Sequence, residues 1–242
     1  MRDSLCSDFA VLTDIPLGRP RASRYPAAFF ADSSTRPPQA SIESLFVQLD
    51  PDSDGDRDCI IDAAYGCLSE PHTGAVPIAA VLARAGLSTR AFYRHFESKD
   101  ELFLAMLRDE GDALAHRLDR IAEEDSGTPA EQLRAWIAQI FELVQDPRLR
   151  MRAMVLDSDE VRAAPGYREA RQRWHVDREQ SLAVILQRGL RDGSFPLAKP
   201  ESDAASIGAV VTREMIMPTA VDEWQRAVDR VVDFSLRALG AR

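Results

Sequence analysis

The most informative stretch of this chain is residues 77–103, which read PIAAVLARAGLSTRAFYRHFESKDELF. Within it, two short segments with apolar residues at helical spacing flank a tight turn at Gly86, where glycine permits a positive φ. Ser88 is placed to cap the second segment, and Ser98 with Glu101 has the spacing of a capping box for a third helix. This arrangement predicts a helix-turn-helix, a motif that inserts its second helix into the major groove of duplex DNA.

The second helix of this motif carries the side chains that we expect to contact DNA. Ser88 satisfies the first free N–H groups of the helix, so the N-terminal end of the helix can face the groove. Arg90 is then placed to bond guanine O6 and N7, while Thr89 and Ala91 offer methyl groups to thymine. Arg94, one turn further along, is predicted to contact either the DNA backbone or a base.

A longer pattern gives the motif a family resemblance. From residue 93 the chain reads YRHFESKDEL, or Tyr-x-His-Phe-x-x-Lys-x-x-Leu, and with the preceding run VLARAGLS it resembles the TetR family of bacterial transcriptional regulators over residues 57–103. The resemblance implies phosphate contacts for Tyr93, His95 and Lys99. Lys99 also stands at a predicted helix N-terminus, where the helix dipole favours an anion. For His95 the alternative is a buried histidine of the core.

Two residues depart from the family pattern in the helix before the turn. Pro77 stands where members often carry Thr or Ser, and it has neither an N–H nor a hydroxyl for a phosphate contact. Leu82 stands where the family commonly has Ala, which is expected to alter the packing between the two helices of the motif. The resemblance otherwise implies an all-α fold, in which an N-terminal three-helix DNA-binding domain precedes a C-terminal helical domain for ligand binding and dimerisation.

Composition agrees with an all-helical fold but not with a strong general attraction to DNA. Ala, Leu, Arg and Glu are abundant, and alternating β-branched runs are scarce. The formal net charge is −9, and residues 56–100 hold five Lys or Arg against six Asp or Glu. We therefore expect affinity for DNA to depend on where Arg90, Arg94 and Lys99 lie, and not on a basic field around the whole domain.

The chain divides into three predicted parts. Residues 1–55 contain six prolines and little helical periodicity, so we expect a disordered extension. Residues 56–103 form the predicted DNA-binding domain, with the motif proper at 77–96, and residues 104–242 form the effector-binding and dimerisation domain. About nine helices are predicted, over residues 57–69, 77–84, 89–96, 98–123, 129–145, 147–156, 166–191, 202–217 and 221–239.

The C-terminal part contains aromatic and Met side chains of the kind that line adaptable apolar cavities. We predict a ligand pocket with few polar atoms, formed by Trp136, Phe141, Met154, Trp174 and His175. The alternative for each of these residues is an ordinary place in the core. Trp174 and His175 are the most pocket-like pair, because one ring packs while the imidazole offers a polar group. No residue identifies the ligand.

The last two predicted helices are expected to form a homodimer. Residues 202–217 are apolar on nearly every side, which suits either a subunit interface or a central core helix. Residues 221–239 carry an apolar stripe along their whole length. A dimer also follows from the motif, because one recognition helix reads too few base pairs for useful specificity.

Several classes of protein find no support in the chain. No apolar run is long enough to span a bilayer and the N-terminus lacks a signal-peptide core, so we expect a cytoplasmic protein with no membrane partner. No metal-ligand spacing, glycine-rich phosphate loop or G-x-S-x-G motif occurs. We therefore expect no catalytic residue, no metal, no cofactor and no enzyme.

Two alternatives stay open for the N-terminal extension. Residues 50–58 match the first nine positions of a calcium-binding loop, but the twelfth position is Ile61, where a Glu ligand is needed. The other interpretation of this segment is an acidic linker before the first helix. Residues 17–21 read LGRPR and resemble the Gly-Arg-Pro core of an arm that lies in an AT-rich minor groove. The other interpretation there is a plain disordered tail.

From these features we predict a ligand-responsive transcriptional repressor. It would bind a palindromic operator in double-stranded DNA as a dimer and would be released by a small, mostly apolar effector. One rival is an all-α lipid-binding protein or enzyme that uses the C-terminal cavity without binding DNA. A second rival is a regulator that has lost DNA binding and acts through protein contacts, which the acidic balance and Pro77 favour.

Overall fold

The structure, a computed structural model, describes residues 53–123, 127–216 and 223–241. Over these ranges the chain is α-helical without a β-strand, as the sequence predicts. In chain order the ten helices of the described residues are α1 (Ser53–Ser69), α2 (Ile78–Ala85), α3 (Thr89–His95), α4 (Lys99–Glu123), α5 (Pro129–Gln145), α6 (Pro147–Leu156), α7 (Asp159–Arg162), α8 (Tyr167–Asp192), α9 (Pro200–Ile216) and α10 (Trp224–Ala238).

The nine predicted helices are present with ends shifted by a few residues, and one further helix, α7, lies between α6 and α8. It is only four residues long, which is too short for the apolar periodicity that identifies helices in a sequence. Ser158 precedes it in an extended conformation, and Asp159 and Glu160 occupy its first turn. Acidic side chains are favourable there because of the helix dipole.

Side-chain caps fix helix starts that the sequence predicts. At α5, Thr128 accepts the Glu131 N–H at 3.3 Å, and the Glu131 carboxylate accepts the Thr128 N–H at 2.7 Å, so the capping box is complete. These hydrogen bonds hold the pKa of Glu131 below its ordinary value. At α4, Ser98 accepts the Glu101 N–H at 3.1 Å, but the Glu101 carboxylate pairs with Arg108 instead. Only half of that predicted box forms.

Two hydrophobic cores hold the helices together. The C-terminal core joins α5, α8, α9 and α10 to the second half of α4, and its fully buried members include Trp136, Phe141, Ile185 and Val211. The N-terminal core joins α1, α2 and α3 to the first half of α4, and its fully buried members include Ile60, Phe92 and Met106. α4 therefore contributes one half of its length to each core.

The N-terminal core does not end with the helix-turn-helix. α6 packs against α1, and α6 and α7 add Ala153, Val155, Leu156 and Val161 to the core of the first helices. The predicted domain boundary at residue 103 therefore crosses a continuous apolar core. Two structural connections run between the halves of the molecule: the length of α4, which the sequence indicates, and the α6–α7 pair, which it does not.

α4 and α8 approach each other closely at Gly111. A Cβ atom at this position would overlap Nε1 of Trp174, so only glycine leaves room for the indole. The same indole lies 5.4 Å from the guanidinium carbon of Arg171, which belongs to the next turn of α8 toward its N-terminus. This contact holds the first half of α8 against the middle of α4.

Candidate nucleic-acid interface and effector site

The turn of the helix-turn-helix has the geometry that its glycine predicts. α2 ends at Gly86, which has a φ of +70° and donates its N–H to the Leu82 carbonyl. The N–H of Leu87 bonds the same carbonyl at 3.1 Å, and the Leu87 side chain is partly buried against the N-terminal core. The left-handed residue closes the end of α2 and redirects the chain into α3.

α3 starts and packs as the motif requires. Ser88 is its N-cap, and Oγ accepts the Ala91 N–H at 3.2 Å. Phe92 and Phe96 are buried, with ring centroids 5.5 Å apart, and anchor the helix on the N-terminal core. At the start of α2, Pro77 is the N-cap and makes no side-chain capping bond, as its lack of a hydroxyl predicts.

The outward face of α3 presents three of the predicted DNA-contacting side chains. Thr89 and Arg90 are exposed in the first turn, and Tyr93 is 59% exposed one turn later. No described residue forms an ion pair with Arg90, so its guanidinium needs no rearrangement before it meets a base or a phosphate. Ala91 lies on the opposite side and is 3% exposed. Its predicted contact with a thymine methyl is therefore inconsistent with this structure, because its methyl group packs in the core.

Arg94 and Lys99 face acidic partners within the protein. Arg94 forms an ion pair with Asp56 of α1 at 2.9 Å. Lys99 pairs with Glu160 of α7, and its ammonium lies 5.4 Å from the centroid of the Phe103 ring. Both cations are predicted DNA contacts, and each must exchange a carboxylate for a phosphate to act as one.

His95 is half-buried at the end of α3, and its ring lies 6.2 Å from that of Phe96. Its Nε2 is buried and bonds no described residue. The phosphate contact predicted for His95 thus requires the ring to turn toward the DNA. The sequence-based alternative of a core histidine is closer to the observed position, although its hydrogen bonding is incomplete.

Glu160 is a functional candidate that the sequence does not reveal. Its two carboxylate oxygens accept the Val76 N–H, just before α2, at 3.1 and 3.2 Å. It also pairs with Lys99 at the start of α4, and His72 Nε2 lies 3.8 Å away. One carboxylate from α7 therefore holds both ends of the helix-turn-helix. It is 61 residues from Lys99 along the chain, so no local pattern predicts the contact.

A second ionic cluster joins α1, α4 and α6. Arg152 of α6 bonds Glu110 at 2.5 Å and Asp62 at 2.9 Å, and its guanidinium lies 4.6 Å from the centroid of the Tyr65 ring. Burial, and then the charge of Glu110, raise the pKa of Tyr65 well above its ordinary value. Because Glu110 is 5% exposed, loss of Arg152 would leave a buried carboxylate without its cation.

The residues of the predicted apolar pocket do not meet in one cavity. Trp136 is fully buried in the C-terminal core and donates its indole N–H to Ser181 Oγ at 2.9 Å. Phe141 is also fully buried and packs edge-on against Trp224. Met154 is 59% exposed on the surface of α6. The alternative of ordinary core residues describes the first two, and Met154 does not face the interior.

Of the predicted pocket residues, His175 lines a cavity formed by described residues, whereas Trp174 packs over Gly111. The cavity has a volume of about 450 Å³ and lies between the end of α6, α7 and the first turns of α8. It is polar where the sequence predicts an apolar site. Its lining consists of Asp157, Arg162, Tyr167, Arg168, Arg171, Gln172 and His175.

Arg178 lies directly behind this cavity and is buried within the helical body. Its guanidinium bonds His175 Nδ1 at 3.2 Å and Thr212 Oγ1 at 3.4 Å, while its Nε has no hydrogen-bond partner among the described residues. Burial lowers the pKa of Arg178 to about 10, because a cation is less stable away from water.

Known proteins with similar sequences and folds contain the same DNA-binding motif. A sequence model of bacterial regulatory proteins of the tetR family matches residues 60–106, from the middle of α1 into α4. This match and the relatives support a TetR-family transcriptional regulator, as the sequence predicts. One relative is the HTH-type transcriptional regulator TtgR of Pseudomonas putida. It is 27% identical over 180 residues, which cover 67% of this chain and 81% of TtgR.

Solved structures share the fold over about three quarters of this chain. The complex of SmeT with triclosan has a TM-score of 0.65 at 27% identity, covering 76% of this chain and 91% of SmeT. SmeT, the repressor of the Stenotrophomonas maltophilia multidrug efflux pump SmeDEF, also matches with a TM-score of 0.60 at 27% identity, over 77% and 91% of the two chains. A TetR-family protein of Mesorhizobium loti MAFF303099 has a TM-score of 0.64 at 16% identity, over 76% and 96%, and so shares the fold.

The comparisons and the described helices also bear on the predictions of no enzyme, no membrane partner and no metal site. The matching proteins are transcriptional regulators, which supports the prediction that this chain is not an enzyme. Among the described helices, none is long and apolar enough to cross a membrane. Nor do the described residues group three or more His, Cys, Asp or Glu side chains in a way that would hold a metal ion.

The structure bears on one of the two sites considered for the N-terminal extension, the calcium loop, and not on the other, the minor-groove arm. The calcium loop would need residues 53–61 to wrap around an ion, but these residues form the first turns of α1. That part of the segment therefore fits an acidic helix start and not a calcium site. The possible minor-groove arm at residues 17–21 lies outside the described residues, as does most of the predicted extension.

Proposed function

We propose that this protein is a ligand-responsive repressor of the TetR type that binds a palindromic operator as a dimer. The observation that carries the proposal is the outward face of α3, where Thr89, Arg90 and Tyr93 project from a capped helix anchored on its other side by two buried phenylalanines. A rigid helix with exposed polar ends is what major-groove recognition requires.

The dimer is proposed to form through α9 and α10. One face of α9 packs on its own chain through Ala204, Ile207 and Val211, while Ala205 and Ala209 on the other face are exposed. Small apolar residues on an exposed helix face permit close approach of a second copy. On α10, Phe234 is 44% exposed beyond the buried stripe. These faces support a subunit interface over the alternative of a helix buried within one chain.

Response to a ligand is supported by relatives and by the connection between the halves of the molecule. SmeT has been solved with triclosan, so a protein of this fold accommodates a small molecule. In this chain, α7 links the region of the 450 Å³ cavity to the helix-turn-helix through Glu160. We propose that an effector and the operator favour different positions of this link, so that each weakens binding of the other. The polar cavity does not favour a mostly apolar effector.

A second candidate is a regulator that acts through protein contacts without binding DNA. Its support is the pairing of Arg94 and Lys99 with acidic side chains, which leaves little positive charge free on this surface. An all-α lipid-binding protein or enzyme has weaker support, because the relatives are regulators and the cavity is polar.

A gel shift with the promoter fragment that adjoins the gene of this protein separates these functions. We expect the purified protein to bind the fragment and Arg90→Ala to lose about 1–3 kcal/mol of binding free energy, the value of one good base contact. Arg120→Ala is the matched control, since Arg120 is an exposed arginine near the far end of α4. If the wild-type protein bound no such fragment at low salt, DNA binding would be rejected and the protein-contact candidate favoured.

A further inference from the structure

We propose that the cavity between α6, α7 and α8 is the effector site and that it takes a small organic anion, either a carboxylate or a phosphate ester. This inference rests on the proposed function, since it names the chemical class of the effector. The cavity volume of about 450 Å³ falls in the range of pockets that enclose small molecules.

The charge of the cavity favours an anion. Three guanidinium groups line it, from Arg162, Arg168 and Arg171, and Asp157 is the one acidic side chain in the lining. Asp157 is already engaged, because it lies 3.8 Å from Arg162 and accepts the Tyr167 hydroxyl at 3.4 Å. The lining thus contains three guanidinium groups and one carboxylate, and this net positive charge favours a bound anion.

Arg171 is built into the wall of the cavity. It is 7% exposed, and its guanidinium carbon lies 5.8 Å from the centroid of the Tyr167 ring and 5.4 Å from that of Trp174. Two aromatic rings therefore restrict the orientation of the guanidinium plane. An arginine held in this way is suited to bidentate binding of a carboxylate or phosphate, because little side-chain entropy is lost when the anion binds.

His175 adds a donor to the same space. Its Nδ1 accepts from the buried guanidinium of Arg178, so the proton of a neutral imidazole is on Nε2. The buried charge of Arg178 stands directly behind this ring, and its Nε bonds no described residue. A buried cation with an unsatisfied N–H is stabilised by a nearby anion.

The cavity is also connected to the DNA-binding helices. Arg162, in its wall, belongs to the same single-turn helix as Glu160. Glu160 in turn holds the Val76 N–H and the Lys99 ammonium. An anion that draws Arg162 inward would shift α7, and with it the carboxylate that fixes both ends of the helix-turn-helix.

The proposal is tested by isothermal titration calorimetry of the full-length protein with benzoate, phenyl phosphate and the uncharged isostere benzamide at millimolar concentrations. We expect benzoate or phenyl phosphate to bind and benzamide not to bind; which anion binds more tightly decides between carboxylate and phosphate. Arg168→Gln should weaken the tighter anion by about tenfold, because it removes one charge-assisted contact. Arg173→Gln is the matched control, since Arg173 is an exposed arginine of α8 that does not line the cavity.

Two results would overturn the inference: no binding of either anion, or binding that Arg168→Gln and Arg173→Gln weaken equally. Circular dichroism of both variants excludes misfolding as the cause of a loss. Because the titration contains no DNA, its outcome does not depend on the repressor function. A protein that binds the promoter fragment but neither anion would keep the proposed function and lose this inference. Binding of an anion without DNA binding would keep the anion site but reject the repressor function, and with it the role of the anion as an effector.

Discussion

The cations near α3 differ in how freely they can reach DNA. Arg90 is exposed and pairs with no described acidic residue, whereas Arg94 is bound to Asp56 and Lys99 to Glu160. An exposed ion pair is worth only about 0–1 kcal/mol, so a phosphate can replace Asp56 at Arg94 at little cost. Lys99 and Glu160 are both largely buried, and their separation costs more. Arg90 is therefore expected to dominate the contacts of this face.

A different single-residue constraint acts at Gly111. Gly111→Ala would place a methyl group on the Trp174 indole, so we expect a loss of about 1–3 kcal/mol in the free energy of unfolding, as in other overpacked cores. Urea denaturation followed by circular dichroism measures it. Gly55→Ala in α1 is the control, since nothing lies within 4 Å of the added Cβ atom. Equal stability of Gly111→Ala and the wild type would show that α4 and α8 do not approach as described.

Among the helices, the four-residue α7 connects to the DNA-binding helices through one side chain, Glu160. Its four residues place Glu160 between the segment before α2 and the start of α4, so a small displacement acts on both ends of the helix-turn-helix. In the observed arrangement the Glu160 carboxylate is also paired with the Lys99 ammonium, which is the group that a DNA phosphate would need to contact. α7 thus opposes the phosphate contact predicted for Lys99.

Removal of the Glu160 charge should strengthen operator binding. Glu160→Gln keeps an oxygen that can accept the Val76 N–H but frees the Lys99 ammonium for a phosphate. We expect higher affinity and a salt dependence steeper by about one unit of slope, the contribution of one additional phosphate contact. Fluorescence anisotropy over a range of salt concentrations measures both. Asp159→Asn removes the same charge from the exposed side of α7 and should change neither. An unchanged slope in Glu160→Gln would mean that Lys99 does not contact phosphate.

Local interactions were predictable from the sequence, and non-local ones were not. The turn at Gly86 and the caps at Ser88 and Thr128 depend on neighbours within a few residues, and the sequence predicts all three. The burial of Ala91 was missed because a helix of seven residues is too short for its periodicity to fix the inward face. The contact of Glu160 with Lys99 depends on packing between distant segments, which no local pattern encodes.

The polar cavity was missed for a related reason. Aromatic residues such as Trp136 suggest a cavity by their type, but their side chains fill the core completely. The arginines of α8 are typical of a solvated helix face in the sequence, yet Arg171 and Arg178 are buried by the packing of neighbouring helices. Residue type alone does not tell a packed ring from a pocket wall, or a surface arginine from a buried one.

The whole molecule has an excess of acidic residues. It can bind DNA only if basic side chains such as Arg90 lie at the DNA-contacting surface. The formal net charge of −9 opposes approach to DNA, and a dimer would double it. Specific contacts from two recognition helices must therefore supply the affinity. The proposed repressor function therefore requires the proposed dimer, since one α3 alone reads too few base pairs.

The proposed dimer interface predicts the effect of a charge on α9. Ala209→Glu should convert the dimer to a monomer, because it would bury an unpaired carboxylate between two copies. Analytical ultracentrifugation measures the change. Ala135→Glu places the same charge on an exposed alanine of α5 and should leave the dimer intact. A dimer that survives Ala209→Glu would have to use another face.

DNase I footprinting on the promoter fragment that adjoins the gene tests most directly whether two copies of α3 bind a palindromic operator. We predict two protected half-sites related by inverted symmetry, with centres separated by about 34–36 Å or a multiple of that helical repeat. Arg90→Ala should weaken protection of both half-sites together. Protection of a single half-site, or none under any salt condition at which the protein is dimeric, would contradict the account.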